Sequence, residues 1–332
     1  MDAMGGDYAP ASVVAGALES LREAPGRFSL LLVGKEETIR SELKKHPPVA
    51  GPKDALAVVH AGEVIDFRDS PTAAVKTKKD SSIAVGMHLQ REGKADAFVS
   101  AGHTGAMLSA ATLILGRMKG VGRPTIGALV PTTKSSPTLL LDAGTNVDCK
   151  ARHLLEFAVM GSIYVEAMTG TKNPSVGLLS IGEEENKGNE VTLEAFALLR
   201  KSGLNFFGNV EGRDILHGKV DVVVCDGFVG NVLLKFGESI PLFFKEKFKS
   251  FARKNFLNAL VALLARKGLK SVMSELDYQE HGGVPLLGVN GVAIIGHGGS
   301  TPKAIKNMIL RAEEMIQRSV NARIQEAVLR YA

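Results

Sequence analysis

The sequence predicts a doubly wound α/β fold with a mostly parallel sheet, and three observations lead to it. Short apolar runs recur along the 332 residues, and each ends in a Gly, Asp or Asn turn that leads into a helical pattern. The runs are continuously apolar, which is typical of strands covered by helices on both faces. Strands that alternate with helices also need crossover connections, which make neighbouring strands parallel. Because no linker divides the chain, we expect a single α/β domain over residues 1–332.

Six strand, turn and helix units can be placed in chain order. FSLLLVG at 28–34 leads into KEETIRSELKK, and ADAFVSAG at 95–102 leads into HTGAMLSAATLILG. The other four units begin with PTLLLDAGTN at 137–146, SVGLLSIGEEE at 175–185, VDVVVCDGFVGN at 220–231 and GVAIIGHGGS at 291–300. Each turn begins a helix, whose free N–H groups and positive dipole end favour an anion. The carboxyl ends of parallel strands meet at one edge, so the six turns together predict an anion site.

Composition and charge exclude several classes of protein. Lys and Arg number 40 against 35 for Asp and Glu, and a net charge of +5 gives no reason to expect nucleic-acid binding. The two cysteines, Cys149 and Cys225, lie in apolar contexts and are expected to be buried free thiols in a reducing cytoplasm. No signal peptide is visible, and the apolar stretch at 259–265 is far below the roughly 20 residues of a membrane-spanning helix.

Two turns are the strongest candidates for the anion site. SAGHTGA at 100–106 and CDGFVGNVLLK at 225–235 both carry glycines where the backbone enters a helix. Neither matches GxGxxG or GxxxxGK[ST], so standard dinucleotide and ATP loops are not supported. The candidate residues are Gly102, His103, Thr104 and Gly105 in the first turn and Asp226, Asn231 and Lys235 in the second.

Other motifs leave two interpretations open. Asp142 and Asn146 in DAGTNVD are ligands or, with equal weight, turn and helix-cap groups. Arg213 in GNVEGRD either binds phosphate with its two-pronged guanidinium or pairs with Asp214 at the surface. AVKTKKD at 74–80 is a docking or phosphate segment, or a solvated basic loop.

Three further side chains are favoured as ligands. Lys187 and Asn189 in GEEENKGNE can donate hydrogen bonds to phosphate oxygens, whereas the carboxylates around them are expected to be solvated. His297 lies among glycines at a strand end, a position more typical of a ligand site than of a core. HExxH, CxxC and GxSxG are absent, so we expect no metal, no cofactor and no serine nucleophile.

A basic amphipathic segment at 243–270 differs from the rest of the chain. One helical face is apolar, and Lys and Arg side chains flank it. It is either an interfacial helix on an anionic membrane or a face packed in the core or at a dimer seam. We therefore assign 240–280 as a helical hairpin insertion and a candidate membrane or dimer element. The apolar face consists of Phe256, Leu257, Leu260, Val261 and Leu264.

Taken together, the motifs resemble one family in the same order along the whole chain. They are DAMGGDYAP, SAGHTGA, RPTIGALVPT, LLDAGTNVDCK, GLLSIGEEENKGNE, NFFGNVEGRDI, DVVVCDGFVGNVLLK and GHGGS. This set is similar to the bacterial phosphate acyltransferases of phospholipid synthesis. The resemblance implies transfer of a fatty acyl group from acyl carrier protein to inorganic phosphate, in a fold related to phosphotransacetylases and isopropylmalate dehydrogenases. It also implies a homodimer attached peripherally to the inner face of the cell membrane, with a glycerol-3-phosphate acyltransferase downstream.

Two positions depart from the family pattern. The family usually has Asn where this chain has His103, and it carries apolar strand residues before DAMGGD, where this chain has only Met1. We expect a truncated first strand, followed by a turn in which Asp2, Gly5 and Gly6 lie near the phosphate.

The reaction implied by the resemblance needs little proton chemistry, because phosphate is already nucleophilic and a thiolate with a pKa of about 8.5 leaves readily. We predict direct attack without an acyl-enzyme, and His297 as proton donor to the leaving thiolate. A short-chain phosphotransacetylase using acyl-coenzyme A, a nicotinamide-dependent oxidoreductase and a nonenzymatic membrane scaffold remain the alternatives. Phosphate and oxyanion contacts are assigned to the 102–105 turn, Lys187, Asn189, Arg213, Asn231 and Lys235.

Overall fold

The computed structural model describes residues 1–49, 52, 54–275 and 282–331, with side chains up to residue 268 and again from 282. The strands are β1 (Leu30–Gly34), β2 (Leu56–His60), β3 (Ala97–Ser100), β4 (Thr125–Ile126), β5 (Ala128–Val130), β6 (Thr138–Leu141), β7 (Val176–Leu179), β8 (Phe206–Val210), β9 (Val222–Val224), β10 (Val284–Leu287) and β11 (Val292–Ile295). The helices are α1 (Ala11–Glu23), α2 (Glu36–Leu43), α3 (Pro71–Thr77), α4 (Ser82–Arg91), α5 (Thr104–Ala110), α6 (Ala151–Thr169), α7 (Glu190–Lys201), α8 (Gly212–His217), α9 (Gly227–Ala252), α10 (Phe256–Glu275), α11 (Pro302–Gln317) and α12 (Val320–Leu329). A π-helical turn, Ala111–Leu115, continues α5.

The first half of the fold is built around strands that are distant in sequence. β3, β11, β10 and β4 form a sheet in that order, and β1 pairs with β2 in parallel. Residues 1–3 lie between the two pieces: the Asp2 N–H donates to the Val99 carbonyl at 2.9 Å, and the Ala3 N–H donates to the Val33 carbonyl at 2.9 Å. Three residues therefore occupy the place of a strand between β1 and β3.

The second half is a five-stranded sheet in the order β5, β6, β9, β7, β8. All its pairings are parallel except that of β5 with β6. Gly127 separates β4 from β5, and its N–H donates to the Pro285 carbonyl at 3.1 Å. One segment, 125–130, thus pairs first with β10 of one sheet and then with β6 of the other. Parallel pairings predominate, which confirms the predicted doubly wound α/β class.

Close contacts at glycine place the helices on the sheets. α6 lies on β6 and β9, where a Cβ on Gly161 would come within 2.5 Å of the Leu141 side chain and 2.8 Å of that of Val222. α1 lies against α11, where a Cβ on Gly16 would be 2.5 Å from the Pro302 carbonyl oxygen. Both approaches need glycine, because the helices contact their neighbours with no room for a methyl group.

The hairpin of α9 and α10 carries an exposed apolar face. The two helices contact each other, yet Phe256 is 82% exposed and Leu264 is 76% exposed, with Leu257, Leu260 and Val261 also exposed. This exposure excludes the interpretation that the face is packed in the core of the described chain. Among the helices that can be described, none is both long enough and apolar enough to cross a bilayer.

Candidate functional site

Three predicted turns meet at the carboxyl edge of the first sheet. The Asp7 N–H donates to the Gly298 carbonyl at 2.8 Å, and the Gly296 N–H donates to the Ser100 carbonyl at 2.8 Å. A Cβ on Gly5 would lie 2.7 Å from the Gly102 nitrogen, and Gly6 has a φ of +106°, which favours glycine. The 5–7, 102–105 and 297–300 turns are therefore in contact, as their strand-end positions predicted.

A buried carboxylate holds these turns together. Asp2 is only 1% exposed, and its Oδ2 accepts a hydrogen bond from the Ser100 hydroxyl at 2.6 Å while its Oδ1 accepts one from the Met4 N–H at 3.0 Å. The Ser100 Oγ in turn accepts from the Gly102 N–H at 3.0 Å. Asp2 thus positions the backbone of two turns, and the structure adds Ser100 to the residues that shape the site.

His103 caps the helix that follows its turn. Its Nδ1 accepts a hydrogen bond from the Gly105 N–H at 3.2 Å, and its Nε2 lies 3.2 Å from the Asp69 carbonyl oxygen. A neutral ring with its proton on Nε2 satisfies both contacts. The ring also stacks on Phe67 at a centroid distance of 6.1 Å. Asn is among the preferred N-cap residues, so capping explains why either residue suits this position.

Thr104 and His297 are exposed beside these turns. The Nδ1 of His297 accepts a hydrogen bond from the Gly299 N–H at 3.1 Å, which in a neutral ring leaves the proton on Nε2. A Cβ on Gly298 would lie 3.2 Å from Asp7 Oδ1 and 3.3 Å from the Phe67 ring. Phe67 therefore borders the same edge, although the sequence motifs had not singled it out.

The 142–146 loop is closed on its own atoms. Asp142 is fully buried, and its two oxygens accept from the Gly144 and Thr145 N–H groups at 3.1 Å, from the Thr145 hydroxyl at 2.5 Å and from the Asn146 N–H at 2.7 Å. The Asn146 amide donates to Asp142 Oδ2 at 2.7 Å and to the Pro124 carbonyl at 2.8 Å. Of the two interpretations, the structure therefore places both side chains as turn groups.

The start of α9 docks directly on this loop. The Gly227 N–H donates to the Asn146 carbonyl at 2.7 Å, and a Cβ on Gly230 would collide with the Asp142 carbonyl oxygen. Asp226 caps the helix by accepting from the Val229 N–H at 2.9 Å. Asn231 is exposed and its side chain lies beside Gly144, where a Cβ would be 3.2 Å from its Oδ1.

Lys235 lies farther along the same helix. Its ammonium is exposed and forms an ion pair with Glu238 at 2.8 Å. Leu234 of this helix packs against an apolar cluster that also contains Ala143 of the 142–146 loop and Ala106 and Met107 of α5. Residues of α5, of the 142–146 loop and of α9 thus belong to one apolar cluster.

The loop between β7 and α7 carries Lys187, which is exposed. Its carbonyl accepts from the Ser180 hydroxyl at 3.0 Å, and its N–H donates to the Glu184 carbonyl at 3.1 Å. Asn189 caps α7 by accepting from the Thr192 N–H at 2.9 Å. The side-chain oxygen of Asn189 is therefore already engaged in this cap. The Lys187 backbone is held by its two hydrogen bonds, and its ammonium group is exposed.

Arg213 is 69% exposed and pairs with Glu211 at 3.0 Å. The surface pair with Asp214 that we had considered is wrong, because Asp214 instead accepts from the Glu211 N–H at 2.9 Å and from Lys219 at 3.3 Å. In the 74–80 segment, Lys78 binds Asp69 Oδ2 at 2.5 Å and the Val64 carbonyl at 3.0 Å. Lys78 thus holds the 64–69 segment through these two contacts and is not a solvated loop residue.

Neither thiol suits nucleophilic chemistry. Burial, with the nearby Asp142 and Asp226 carboxylates, raises the pKa of Cys149 to about 12. Cys225 is buried, and desolvation raises its pKa well above the ordinary value. Both remain thiols at neutral pH, whereas the thiolate is the reactive form. Within the described residues, no group of three or more His, Cys, Asp or Glu side chains is arranged to hold a metal ion.

Comparisons with known proteins cover almost the whole chain. A family model described as "Fatty acid synthesis protein" matches residues 1–323. Proteins named phosphate acyltransferase are 49% identical in Pelotomaculum thermopropionicum, over 99% of this chain and 94% of that protein, and 49% identical in Heliobacterium modesticaldum, over 99% and 96%.

Solved structures show the same fold at low identity. A phosphotransacetylase from Streptococcus pyogenes aligns with a TM-score of 0.61 and 18% identity over 92% of this chain and 90% of its own. A branched-chain phosphotransacylase from Enterococcus faecalis aligns with a TM-score of 0.57 and 15% identity over 95% and 97%. At this identity the likeness concerns the fold alone.

Proposed function

The chain belongs to the fatty acid synthesis protein family and, within it, to the phosphate acyltransferases, and from that premise we propose that it transfers a fatty acyl group from acyl carrier protein to inorganic phosphate. The product would be an acyl phosphate for glycerophospholipid synthesis, consumed by a glycerol-3-phosphate acyltransferase. Phosphate attacks the thioester carbonyl, a carbon–oxygen bond forms, and the carbon–sulfur bond breaks with release of the carrier thiolate.

One observation carries this proposal. In each half of the fold, a buried carboxylate holds a glycine-rich turn that begins a helix: Asp2 beside the 102–105 turn and Asp142 beside the start of α9. These hydrogen bonds fix the two helix starts in advance, and the positive dipole end of a helix that is already in place favours a phosphate or a developing oxyanion without reorganisation during the reaction. Residues of α5 and of α9 belong to one apolar cluster, which supports a single site formed by both halves of the fold.

Side chains at the same edges supply charge and protons. Lys187, Arg213 and Lys235 are exposed cations, and Asn231 is an exposed amide beside Gly144. We assign phosphate contacts to Lys187 and Arg213, and oxyanion contacts to Asn231. His297 is assigned as proton donor to the leaving thiolate through Nε2 of its imidazolium form, because a neutral imidazole is too weak an acid for this step.

The proposed attack is direct. Because both thiols are held protonated, an acyl-cysteine intermediate is disfavoured. Replacing both Cys149 and Cys225 by Ala should leave the turnover number within about twofold of wild type. Acyl transfer to either thiol, trapped by acid quench and mass spectrometry, would contradict direct attack.

A thiol-release assay tests the activity itself. Fatty acyl carrier protein, fatty acyl-coenzyme A and acetyl-coenzyme A are each supplied with and without inorganic phosphate. We expect phosphate-dependent release that is fastest with acyl carrier protein. Preference for acetyl-coenzyme A would instead support a short-chain phosphotransacetylase, and no release from any donor would favour a nonenzymatic scaffold.

The exposed apolar face of the hairpin supports peripheral attachment to the inner face of the cell membrane. Flotation with anionic liposomes should recover the wild type and lose a variant with Leu260→Glu and Leu264→Glu. Leu193 and Leu216 are also exposed leucines, on α7 and α8, and their change to Glu serves as the matched control. Full activity in the dissociated variant would separate attachment from catalysis, and light scattering at twice the 35.2 kDa chain mass would support the proposed homodimer.

A further inference from the structure

Asn209 is a buried amide that the proposed mechanism does not use. It lies at the carboxyl end of β8, is only 3% exposed, and donates from its side-chain nitrogen to the Glu184 carbonyl oxygen at 2.8 Å. Its Oδ1 is buried without a hydrogen-bond partner in the described part of the chain. A buried polar atom without a partner costs stability, so a residue that keeps one at this position needs a reason other than packing.

The bonds of the β7–α7 loop supply that reason. The Glu184 carbonyl accepts from two donors at once: the Asn209 amide at 2.8 Å and the backbone N–H of Lys187 at 3.1 Å. The side chain of Lys187 also packs over Gly182, where a Cβ would lie 3.1 Å from its Cγ. The Asn209 amide and the backbone N–H of Lys187, the lysine that we assign to phosphate, therefore share the Glu184 carbonyl oxygen as acceptor.

The strand gives this contact a fixed base. β8 pairs with β7 in register through Asn209 and Leu178, and the Ser180 N–H donates to the Val210 carbonyl at 2.9 Å. Within the loop, the Ser180 hydroxyl donates to the Lys187 carbonyl at 3.0 Å, and ion pairs join Glu183 to the half-buried Lys219 at 2.6 Å and the exposed Glu185 to Arg200 at 2.7 Å. An exposed pair such as Glu185 with Arg200 contributes little, so the buried Asn209 amide is a stronger restraint on the loop than that pair.

We infer that Asn209 is a positioning residue: its amide fixes the Glu184 carbonyl and so holds Lys187 in place to bind phosphate. This inference rests on the proposed function for the identity of the anion. It predicts that loss of the amide weakens phosphate binding without removing any group that touches phosphate. The KM for the acyl carrier protein substrate and the kcat of the transfer are expected to be unaffected.

The test compares Asn209 of β8 with Asn205, which lies just before the same strand. Asn209→Ala should raise the KM for phosphate about tenfold with kcat within about twofold, as expected for a lost positioning hydrogen bond. Asn209→Asp, which keeps the size but sets a carboxylate against the Glu184 carbonyl, should raise it further. Asn205 is the matched control, because its amide donates to the Asn173 carbonyl at 2.9 Å just before the amino end of β8, and Asn205→Ala should leave the KM unchanged.

A double-mutant cycle with Lys187→Ala identifies the route of the effect. If Asn209 acts through Lys187, the double variant should match Lys187→Ala alone in its phosphate KM. Multiplied effects would overturn the inference, as would an unchanged KM in both Asn209 variants.

Hydrogen exchange keeps this test separate from the proposed function. Amides of the 183–190 segment should exchange about tenfold faster in Asn209→Ala than in Asn205→Ala. A wild type with no phosphate-dependent activity refutes the proposed function, whereas unchanged exchange in this segment refutes the positioning role, whatever the activity.

Discussion

Two loops at the carboxyl edge of the second sheet are held in opposite ways. The 142–146 loop closes on its own buried carboxylate, with the Asp142 oxygens accepting from three backbone N–H groups of the same turn. In the 180–189 loop, the acceptors are the Glu184 carbonyl and the Glu183 and Glu185 carboxylates. Their donors come from other elements and are Asn209 of β8, Lys219 and Arg200. The first loop is held mainly by hydrogen bonds to its own carboxylate, whereas the second is also held by side chains from distant parts of the chain.

This difference indicates that the first loop contributes to stability and the second to substrate affinity. A loop closed on a buried carboxylate is a fixed base for its neighbours, here the start of α9 and the exposed amide of Asn231 beside Gly144. A loop held from outside can carry an exposed cation such as Lys187, whose position depends on its supports. We therefore expect changes in the first loop to act on stability and changes in the second to act on substrate affinity.

The largest expected effect is on stability, from Asp142→Ala. The substitution leaves the Thr145 and Asn146 N–H groups without an acceptor, and we expect the free energy of unfolding in urea to fall by about 3 kcal/mol or more. Glu185→Ala in the other loop is the control, since its exposed pair with Arg200 should contribute less than about 1 kcal/mol. Equal losses for the two variants would contradict the comparison.

The next effect is on affinity, from Lys187→Ala. Loss of a charged hydrogen bond should raise the phosphate KM about a hundredfold, while the free energy of unfolding stays within about 0.5 kcal/mol because the side chain is exposed. Lys172, exposed before the amino end of β7, is the matched lysine far from the site edge. A similar KM change in Lys172→Ala would point to general charge and not to a phosphate contact.

A smaller effect on stability is expected at the 102–105 turn, in which the His103 side chain accepts from the Gly105 N–H of the same turn. His103→Ala removes the N-cap of α5 and should cost about 1 kcal/mol in urea unfolding. His103→Asn should restore nearly all of it, because an Asn side chain accepts from the same backbone position. If Asn were no better than Ala, the contact of His103 with Asp69 would be the more important one.

The smallest effect is a dependence on pH at the exit of the 142–146 loop. Desolvation lowers the pKa of His153, and its Nδ1 accepts from the Lys150 N–H at 3.1 Å. As the pH falls below about 6.5 the unfolded chain binds the proton first, so stability is lost until the pH passes the lower folded pKa. Urea titrations should show this loss, below about 1 kcal/mol, in the wild type but not in His153→Gln.

The sequence pattern predicted the elements whose signal is local. All six apolar runs contain a strand that is followed by a turn and a helix, from β1 at Leu30–Gly34 to β11 at Val292–Ile295. Five strands were missed: β2 and β8, which are partly buried edge strands, β10 because it contains Pro285, and β4 and β5 because two or three residues carry no periodicity. Strands this short are defined by their partners and not by their own composition.

For the candidate site, the contact between the 5–7, 102–105 and 297–300 turns could be predicted. Glycine-rich turns can be recognised in the sequence, and turns that follow parallel strands are expected to lie at the same edge of a sheet. Roles that depend on distant partners could not be read: Ser100 binds Asp2 across 98 positions, and Asn209 reaches a carbonyl 25 positions away. For Asp142 and Asn146, only the geometry separates a turn group from a ligand, because the same side chains suit both.

The pairing of β3 with β11 sets an order for synthesis on the ribosome. Ala97 lies opposite Val292, so the first sheet acquires this neighbour only after nearly two hundred further residues have been translated. All five strands of the second sheet fall between residues 128 and 224 and are complete much earlier. A nascent chain paused between these points should hold all five strands of the second sheet while the edge of β3 that faces β11 still lacks its partner, and this edge is what a chaperone would need to shield.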